Sequence, residues 1–402
     1  MIAERRGWAK ALAHPAAARS PAGVRGFCFR SPQTRITKTH PLRFLSRRPF
    51  HTAPPPATVT AQGASRGSPA RIATAGERQT MTSTIRWGIL GAAKIAQTQV
   101  APAIQAARDA TLAALATSTP AKAAPFAALA PGLTVHDSYD ALLADPDIDA
   151  IYIPLPNHLH IEWTLKAIAA GKHVLCEKPI ALQTAEIDQL IAARDAAGVV
   201  VAEAFMVANH PQLHKVRALL DAGAIGRLCH IEGAFTYNNP DPANIRNNAE
   251  AGGGGLRDIG VYPCITARLA TGQEPTALRA DIQYEGGVDT FARVWADFDG
   301  FTMSFYCGMR QGRYQHMLFH GSDGWISLSA PFNAQAYGDC RVEWQEADGI
   351  TRIERFNSTA QYTDMIEAFG DAIRTGAPLA CPLEVSRGNQ AMIDGIFAAG
   401  DA

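Results

Sequence analysis

Paired cysteines are missing from this chain. The seven that occur, from Cys28 to Cys381, include no CxxC spacing. An odd, unpatterned set argues against a disulfide framework or a structural zinc site and fits a reducing compartment. Long apolar runs are missing as well, and no stretch approaches the roughly 18 residues of a membrane span. Acidic residues are scarce at one end only. Fourteen of the 37 Lys and Arg residues lie in 1–80 against Glu4 and Glu77, so the remainder holds 23 basic and 35 acidic residues. That acidic body gives no footing for nucleic acid or a membrane surface as partner.

At 402 residues the chain is long for one domain and ample for two. Residues 1–80 are rich in Ala, Pro, Arg and Ser, contain Pro54, Pro55 and Pro56 in a row, and show no sustained periodicity. Such a composition buries too little apolar surface to order itself. Three readings stand for it: a disordered tail, an organelle transit peptide, or a translation start at Met81, just before the first strand-like run. The expected location is cytoplasmic, or mitochondrial if the transit reading holds.

From Ile85 the pattern changes. Ile85 to Leu90 reads as a strand, and Gly91, Ala92, Ala93, Lys94 and Ile95 turn into a helix with apolar residues at Ile95, Val100, Ala103 and Ile104. Strand, glycine turn and helix are the context of a dinucleotide fingerprint, whose helix amides face a pyrophosphate. Here the fingerprint is degraded, with Ala93 at its middle position, and Pro102 predicts a kink or a fresh helical start. Strands over Leu112–Ala116, Ile148–Ile153 and Val199–Ala202 alternate with helices over Ala121–Ala130, Leu159–Ala170 and Ala185–Ala197. The alternation predicts a doubly wound parallel sheet over 81–205.

Where an NAD-preferring fold presents an acid to the ribose, this chain has Thr117, Ser118 and Thr119, with Lys122 one turn on. Hydroxyls and a cation suit an extra phosphate, which favours NADP over NAD; capping of the helix behind Pro120 explains any one hydroxyl equally well. Pro154, Leu155, Asn157 and His158 form a stiff loop between a strand and a helix. Asn157 or His158 can face a cofactor there, or Asn157 can cap the helix.

The run Gly171 to Pro179 ends a buried strand in Glu177 and Lys178, with Pro179 holding Lys178 extended at the ligand edge of the sheet. Beyond Gly226, strands follow one another over Leu228–Tyr237, Ala277–Tyr284, Thr290–Phe298, Thr302–Cys307, Gln315–His320, Trp325–Leu328 and Val342–Glu346. This predicts a separate α+β domain over 206–402, built on a mostly antiparallel sheet. One helix interrupts it. Four glycines, 252–255, allow close backbone approach to a ligand, and Asp258 and Tyr262 follow four apart on one helical face. A phenol exchanges a hydroxyl proton near neutrality only if a cation stabilises its phenolate. Lys178 can supply that charge while Asp258 orients lysine or substrate. A capping aspartate and a core tyrosine are the alternative. Tyr237, Asn238 and Asn239 read as a turn that can also border a pocket.

Five stretches together carry a family resemblance: 88–96 (GILGAAKIA), 154–158 (PLPNH), 177–179 (EKP), 203–211 (EAFM with HP), and 253–263 (GGGLRDIGVYP). On these residues the chain resembles the Gfo/Idh/MocA family, and within it the branch of dimeric dihydrodiol dehydrogenases and NADP-dependent xylose dehydrogenases, from Ile85 to the end. The resemblance implies a Rossmann domain followed by an open-faced sheet that builds homodimers or homotetramers. It also implies hydride transfer between NADP and a CH–OH group of a sugar or cyclic diol. Lys178 becomes the catalytic lysine, Tyr262 the proton donor and acceptor, and Asp258 their partner. Val207, Ala208 and Asn209 stand where relatives often carry an aromatic residue and an arginine, a departure that touches the substrate pocket. Two alternatives stay open: a cofactor-sensing regulator without turnover, and an oxidoreductase that never releases its cofactor.

Overall fold

The computed structural model describes residues 84–400, so the basic segment 1–80 lies outside the described residues. Six parallel strands, β1 (Ile85–Leu90), β2 (Ala110–Ala116), β3 (Thr134–His136), β4 (Ala150–Ile153), β5 (His173–Cys176) and β6 (Val201–Glu203), form the first sheet in the order β3-β2-β1-β4-β5-β6. β4 and β5 are apolar without alternation because helices cover both faces. The order reverses between β1 and β4, and the crevice at their carboxyl ends is where such sheets take ligands. Gly91 closes β1 with φ +92°, a backbone angle that favours glycine.

Two local departures from the expected elements trace to proline. The helix behind Gly91 contains a π-helical turn, Ala96–Val100, and restarts as Ala101–Ala106 with Pro102 in its first turn. Pro102 has no N–H to give, so the restart leaves no bond unmade there. The helix expected over Ala121–Ala130 divides into a 3-10 turn, Pro120–Ala123, and an α-helix, Ala124–Leu129, with Pro125 in the first turn of the second piece. The short edge strand β3, mostly exposed, has no apolar signature and was not anticipated.

The second sheet has eight strands: β7 (Leu228–Asn238), β8 (Ala277–Glu285), β9 (Val288–Asp297), β10 (Thr302–Gly308), β11 (Arg310–Gly321), β12 (Trp325–Leu328), β13 (Arg341–Gln345) and β14 (Thr351–Arg355), ordered β14-β13-β12-β11-β7-β10-β9-β8. It is antiparallel except where β10 runs parallel to β7. The connection after β7 passes through the glycine run and the helix Val261–Thr271, which frees β7 to sit in the middle of the sheet. Inward residues of β9 and β10 (Ala292, Val294, Met303, Phe305) pack into one apolar core that also takes Ile85, Trp87 and Ile89 of β1. The two sheets therefore share a core, and the ligand edge of the first faces β7 and the helix beside it. No helix among the described residues is long and apolar enough to cross a membrane.

Candidate active site

A cleft of about 840 Å³ lies at that edge. Its walls come from the glycine turn (Ala93, Lys94, Ile95), the β4 loop (Pro154, Leu155, Asn157), the β5 end (Glu177, Lys178), the β7 end (Tyr237, Asn238, Asn239), and Arg246, Asp258 and Tyr262. Gly91 and Ala92 shape the turn behind the wall. Thr117, Ser118, Lys122 and His158 are not wall residues: Thr117 is buried and its Oγ1 accepts from the Thr119 amide at 3.2 Å, while Ser118, Lys122 and His158 are exposed. Asn157 caps no helix; its Nδ2 donates to the Gly252 carbonyl at 2.9 Å. The Ala92 and Ala93 amides, just ahead of the helix that opens at Lys94, have no backbone partner among the described residues. Unpaired amides at a helix N-terminus suit a pyrophosphate, so the residues present fit a dinucleotide.

Charge concentrates at the inner end. The Lys178 ammonium donates to Asp258 Oδ1 at 3.0 Å and to the Asp258 carbonyl at 2.6 Å, and lies 5.2 Å from the centre of the Tyr262 ring. Asp258 Oδ2 accepts from the Tyr237 hydroxyl at 2.6 Å and pairs with Arg246 Nε at 2.8 Å. Burial alone would raise the Asp258 pKa, but Lys178, Arg246 and the Tyr237 hydrogen bond outweigh it and hold the carboxyl below the usual range. Tyr237 is pushed up by burial and by the Asp258 charge it faces.

Tyr262 is held among the rings of Phe205, Phe235 and Phe332, and its hydroxyl donates to Met206 Sδ at 3.6 Å. Burial raises its pKa well above that of a free phenol. Asp258 and Tyr262 do share a wall, yet the phenol bonded to Asp258 is Tyr237. Asp258 lies in a π-helical turn, Leu256–Gly260, which closes on i→i+5 rather than i→i+4 and turns it away from the residue four on.

The glycine run does not cradle a ligand. None of Gly252 to Gly255 borders the cleft; they approach the chain itself. A Cβ on Gly253 would come within 2.5 Å of the Arg246 carbonyl, and one on Gly254, where φ is +117°, would overlap the Asp289 carboxylate. The Gly254 amide donates to the Arg246 carbonyl at 2.9 Å, and Asp289 Oδ2 accepts the Leu256 amide at 2.6 Å. Burial raises the Asp289 pKa to about 7. The glycines thus bring the Arg246 segment and Asp289 against the turn that carries Asp258.

Sequence reasoning missed two residues here. Arg246 sits in the 3-10 turn Ile245–Asn247, inside a run of Asn, Asp and Pro that reads as featureless loop. His160 is fully buried, with Nδ1 2.7 Å from the Pro179 carbonyl and Nε2 2.8 Å from the Leu155 carbonyl, so it spans the two loops flanking the cleft. Burial lowers its pKa to about 4. Glu177, whose pKa burial raises, accepts the Tyr152 hydroxyl at 2.6 Å.

Two family models match this chain: an oxidoreductase family model with NAD-binding Rossmann fold over residues 85–205, and the GFO/IDH/MocA C-terminal domain over 213–327. The D-xylose 1-dehydrogenase (NADP(+)) 2 of Haloferax volcanii is 34% identical over 77% of this chain and 96% of its own. The chain belongs to the Gfo/Idh/MocA oxidoreductase family. A trans-1,2-dihydrobenzene-1,2-diol dehydrogenase of Xenopus laevis is 33% identical over 54% of this chain and 66% of its own. A 3-ketoreductase from Actinomadura kijaniata, solved with NADP and TDP-benzene, superposes with a TM-score of 0.73 at 30% identity, covering 79% of this chain and 98% of that one.

Two outcomes follow from the packing. Gly254→Ala should lower stability by about 2–4 kcal/mol through strain and overlap, read by urea unfolding. Asp258→Asn leaves Lys178 and Arg246 uncompensated and should cost roughly 3–5 kcal/mol at pH 7. Because the folded carboxyl titrates below the unfolded one, its contribution is complete above about pH 4 and is lost as pH falls further. The stability gap between wild type and Asp258→Asn should therefore narrow below about pH 4; a constant gap would contradict the ion pairs.

Proposed function

We propose that this protein is an NADP-dependent dehydrogenase acting on a CH–OH group of a sugar or cyclic diol. The observation that carries the reading is the convergence of Lys178, Asp258 and the Tyr262 ring at the inner end of a cleft whose outer end fits a dinucleotide. NADP in the name of the Haloferax relative and in the solved ketoreductase supports the choice of cofactor. The exposed hydroxyl of Ser118 and the ammonium of Lys122, both free of side-chain partners among the described residues, are assigned to its extra phosphate.

Oxidising an alcohol removes a hydride from carbon and a proton from oxygen, and a bound nicotinamide supplies the hydride acceptor. This chain's part is the proton. Tyr262 accepts it from the substrate hydroxyl, and returns it to a carbonyl in the reverse direction. Burial first, and then the Glu177 and Asp258 charges, oppose a Tyr262 phenolate, whereas the Arg246 guanidinium favours it, and the Lys178 ammonium stands 5.2 Å from the ring. Asp258 keeps Lys178 aimed through two hydrogen bonds. Met206 Sδ is a weak acceptor, so exchanging it for a substrate oxygen gives up little. Self-association is assigned to the outer face of the second sheet, where Tyr306 and Tyr314 stand exposed.

Mixing the protein with NADP and either D-xylose or trans-1,2-dihydrobenzene-1,2-diol should raise the absorbance of reduced nicotinamide. Lys178→Ala and Tyr262→Phe should each lower turnover by about 10³-fold with NADP affinity retained; near-native turnover in either sinks the mechanism. Lys122→Met should weaken NADP about tenfold and leave NAD unchanged, the scale of one charge-assisted hydrogen bond. Equal effects on both nucleotides would argue against the phosphate assignment.

A further inference from the structure

Arg246 is anchored more firmly than a surface loop residue needs to be. Asn244 Oδ1 accepts its amide at 3.1 Å, and its carbonyl accepts the Gly254 amide. The flanking loop is tied down by Arg310, whose Nη1 donates to the Asn239 carbonyl at 2.8 Å and whose Nη2 donates to Asn247 Oδ1 at 3.0 Å. Its guanidinium is used only in part. Nε pairs with Asp258, while neither Nη has a hydrogen-bond partner among the described residues.

Some arginine–carboxylate pairs in this molecule use two prongs of the fork on one carboxylate. Arg86 grips Asp149, and Arg387 grips Asp188, through Nε and Nη2 on both carboxylate oxygens. Arg246 pairs with Asp258 through Nε on Oδ2, and Lys178 takes Oδ1. The side chain stays 42% exposed on the wall of the cleft, with the open prongs of its fork left over. Two cations share one carboxylate there.

We propose that the free prongs of Arg246 hold a second substrate oxygen, on the carbon next to the one oxidised, so that the substrate is a vicinal diol or its hemiacetal equivalent. This rests on the dehydrogenase reading above and narrows it. Lys178 and Arg246 flank one carboxylate on the wall of the same cleft, so both cations reach the same part of a bound substrate. An oxygen at the Lys178 and Tyr262 side is the reacting one, and its neighbour falls to Arg246. Planar, fixed N–H donors select for such an oxygen by geometry as well as charge. Aldoses, with hydroxyls on the first two carbons, and trans-dihydrodiols both qualify; simple alcohols do not.

The test removes the oxygen and the arginine separately and together. D-Xylose is compared with 2-deoxy-D-xylose, and trans-cyclohexane-1,2-diol with cyclohexanol, in wild type, Arg246→Met and Arg246→Lys. Wild type should prefer each parent over its deoxy partner by at least about tenfold in kcat/KM, the worth of one hydrogen bond to a charged group. In Arg246→Met that preference should collapse toward one, over and above any loss common to both compounds from a less well supported Asp258. Arg246→Lys, which keeps the charge without the fork, should restore the common loss and only part of the preference. A preference unchanged in Arg246→Met, with both compounds slowed in parallel, overturns the proposal and leaves Arg246 a support for Asp258. So does a wild type indifferent to the missing hydroxyl. Absence of turnover with every compound instead overturns the dehydrogenase reading, and calorimetric binding of D-xylose and 2-deoxy-D-xylose to the NADP complex then decides this point alone. A difference in affinity that vanishes in Arg246→Met upholds the second contact, and equal affinities overturn it.

Discussion

One carboxylate serves cations that arrive from two remote stretches of chain. Lys178 comes off the carboxyl end of a parallel strand, Arg246 from a loop after the long central strand of the other sheet, and Asp258 stands between them. A buried carboxylate with no cation would take up a proton, and two neighbouring cations with no carboxylate would repel each other. Lys178 therefore depends on the second lobe for its counter-ion. The electrostatics fix how the ligand edge of the first sheet meets the inner face of the second, and the shared apolar core around Trp87, Val294 and Phe305 makes that meeting rigid.

Much of this architecture is written in local sequence, because it rests on local periodicities. Uninterrupted apolar runs such as Ala150–Ile153 read as buried parallel strands, and the alternation in β9 and β10 reads as sheet with one face covered. β14 escaped notice because three of its five residues, Arg352, Glu354 and Arg355, are charged. The parallel pairing of β7 with β10 is a matter of topology rather than pattern, and no single-strand signal encodes it.

The site divides along the same line. Lys178 and Asp258 draw attention because proline and glycine, residues with strong backbone consequences, stand beside them. Arg246 and His160 carry no such punctuation. Their importance arises from where the folded chain returns: Arg246 against the glycine run, and His160 between carbonyls 24 positions apart in sequence, at Leu155 and Pro179. The glycine run itself was legible as a close approach, but sequence could not say to what. It is the protein's own backbone and the Asp289 carboxylate that come near, not a ligand.

Asp289 carries that last point into acid–base behaviour. Asp258 is kept ionised by its neighbours, whereas Asp289, packed under the glycines with backbone amides for company, clings to its proton until about pH 7. The two buried acids thus oppose each other: acidification erodes the fold through the first, and alkalinisation through the second because the native form still holds a proton that the unfolded chain has already lost. The joint contribution of this pair is greatest near pH 4, about where an unfolded aspartate titrates, with the first loss below it and the second above it.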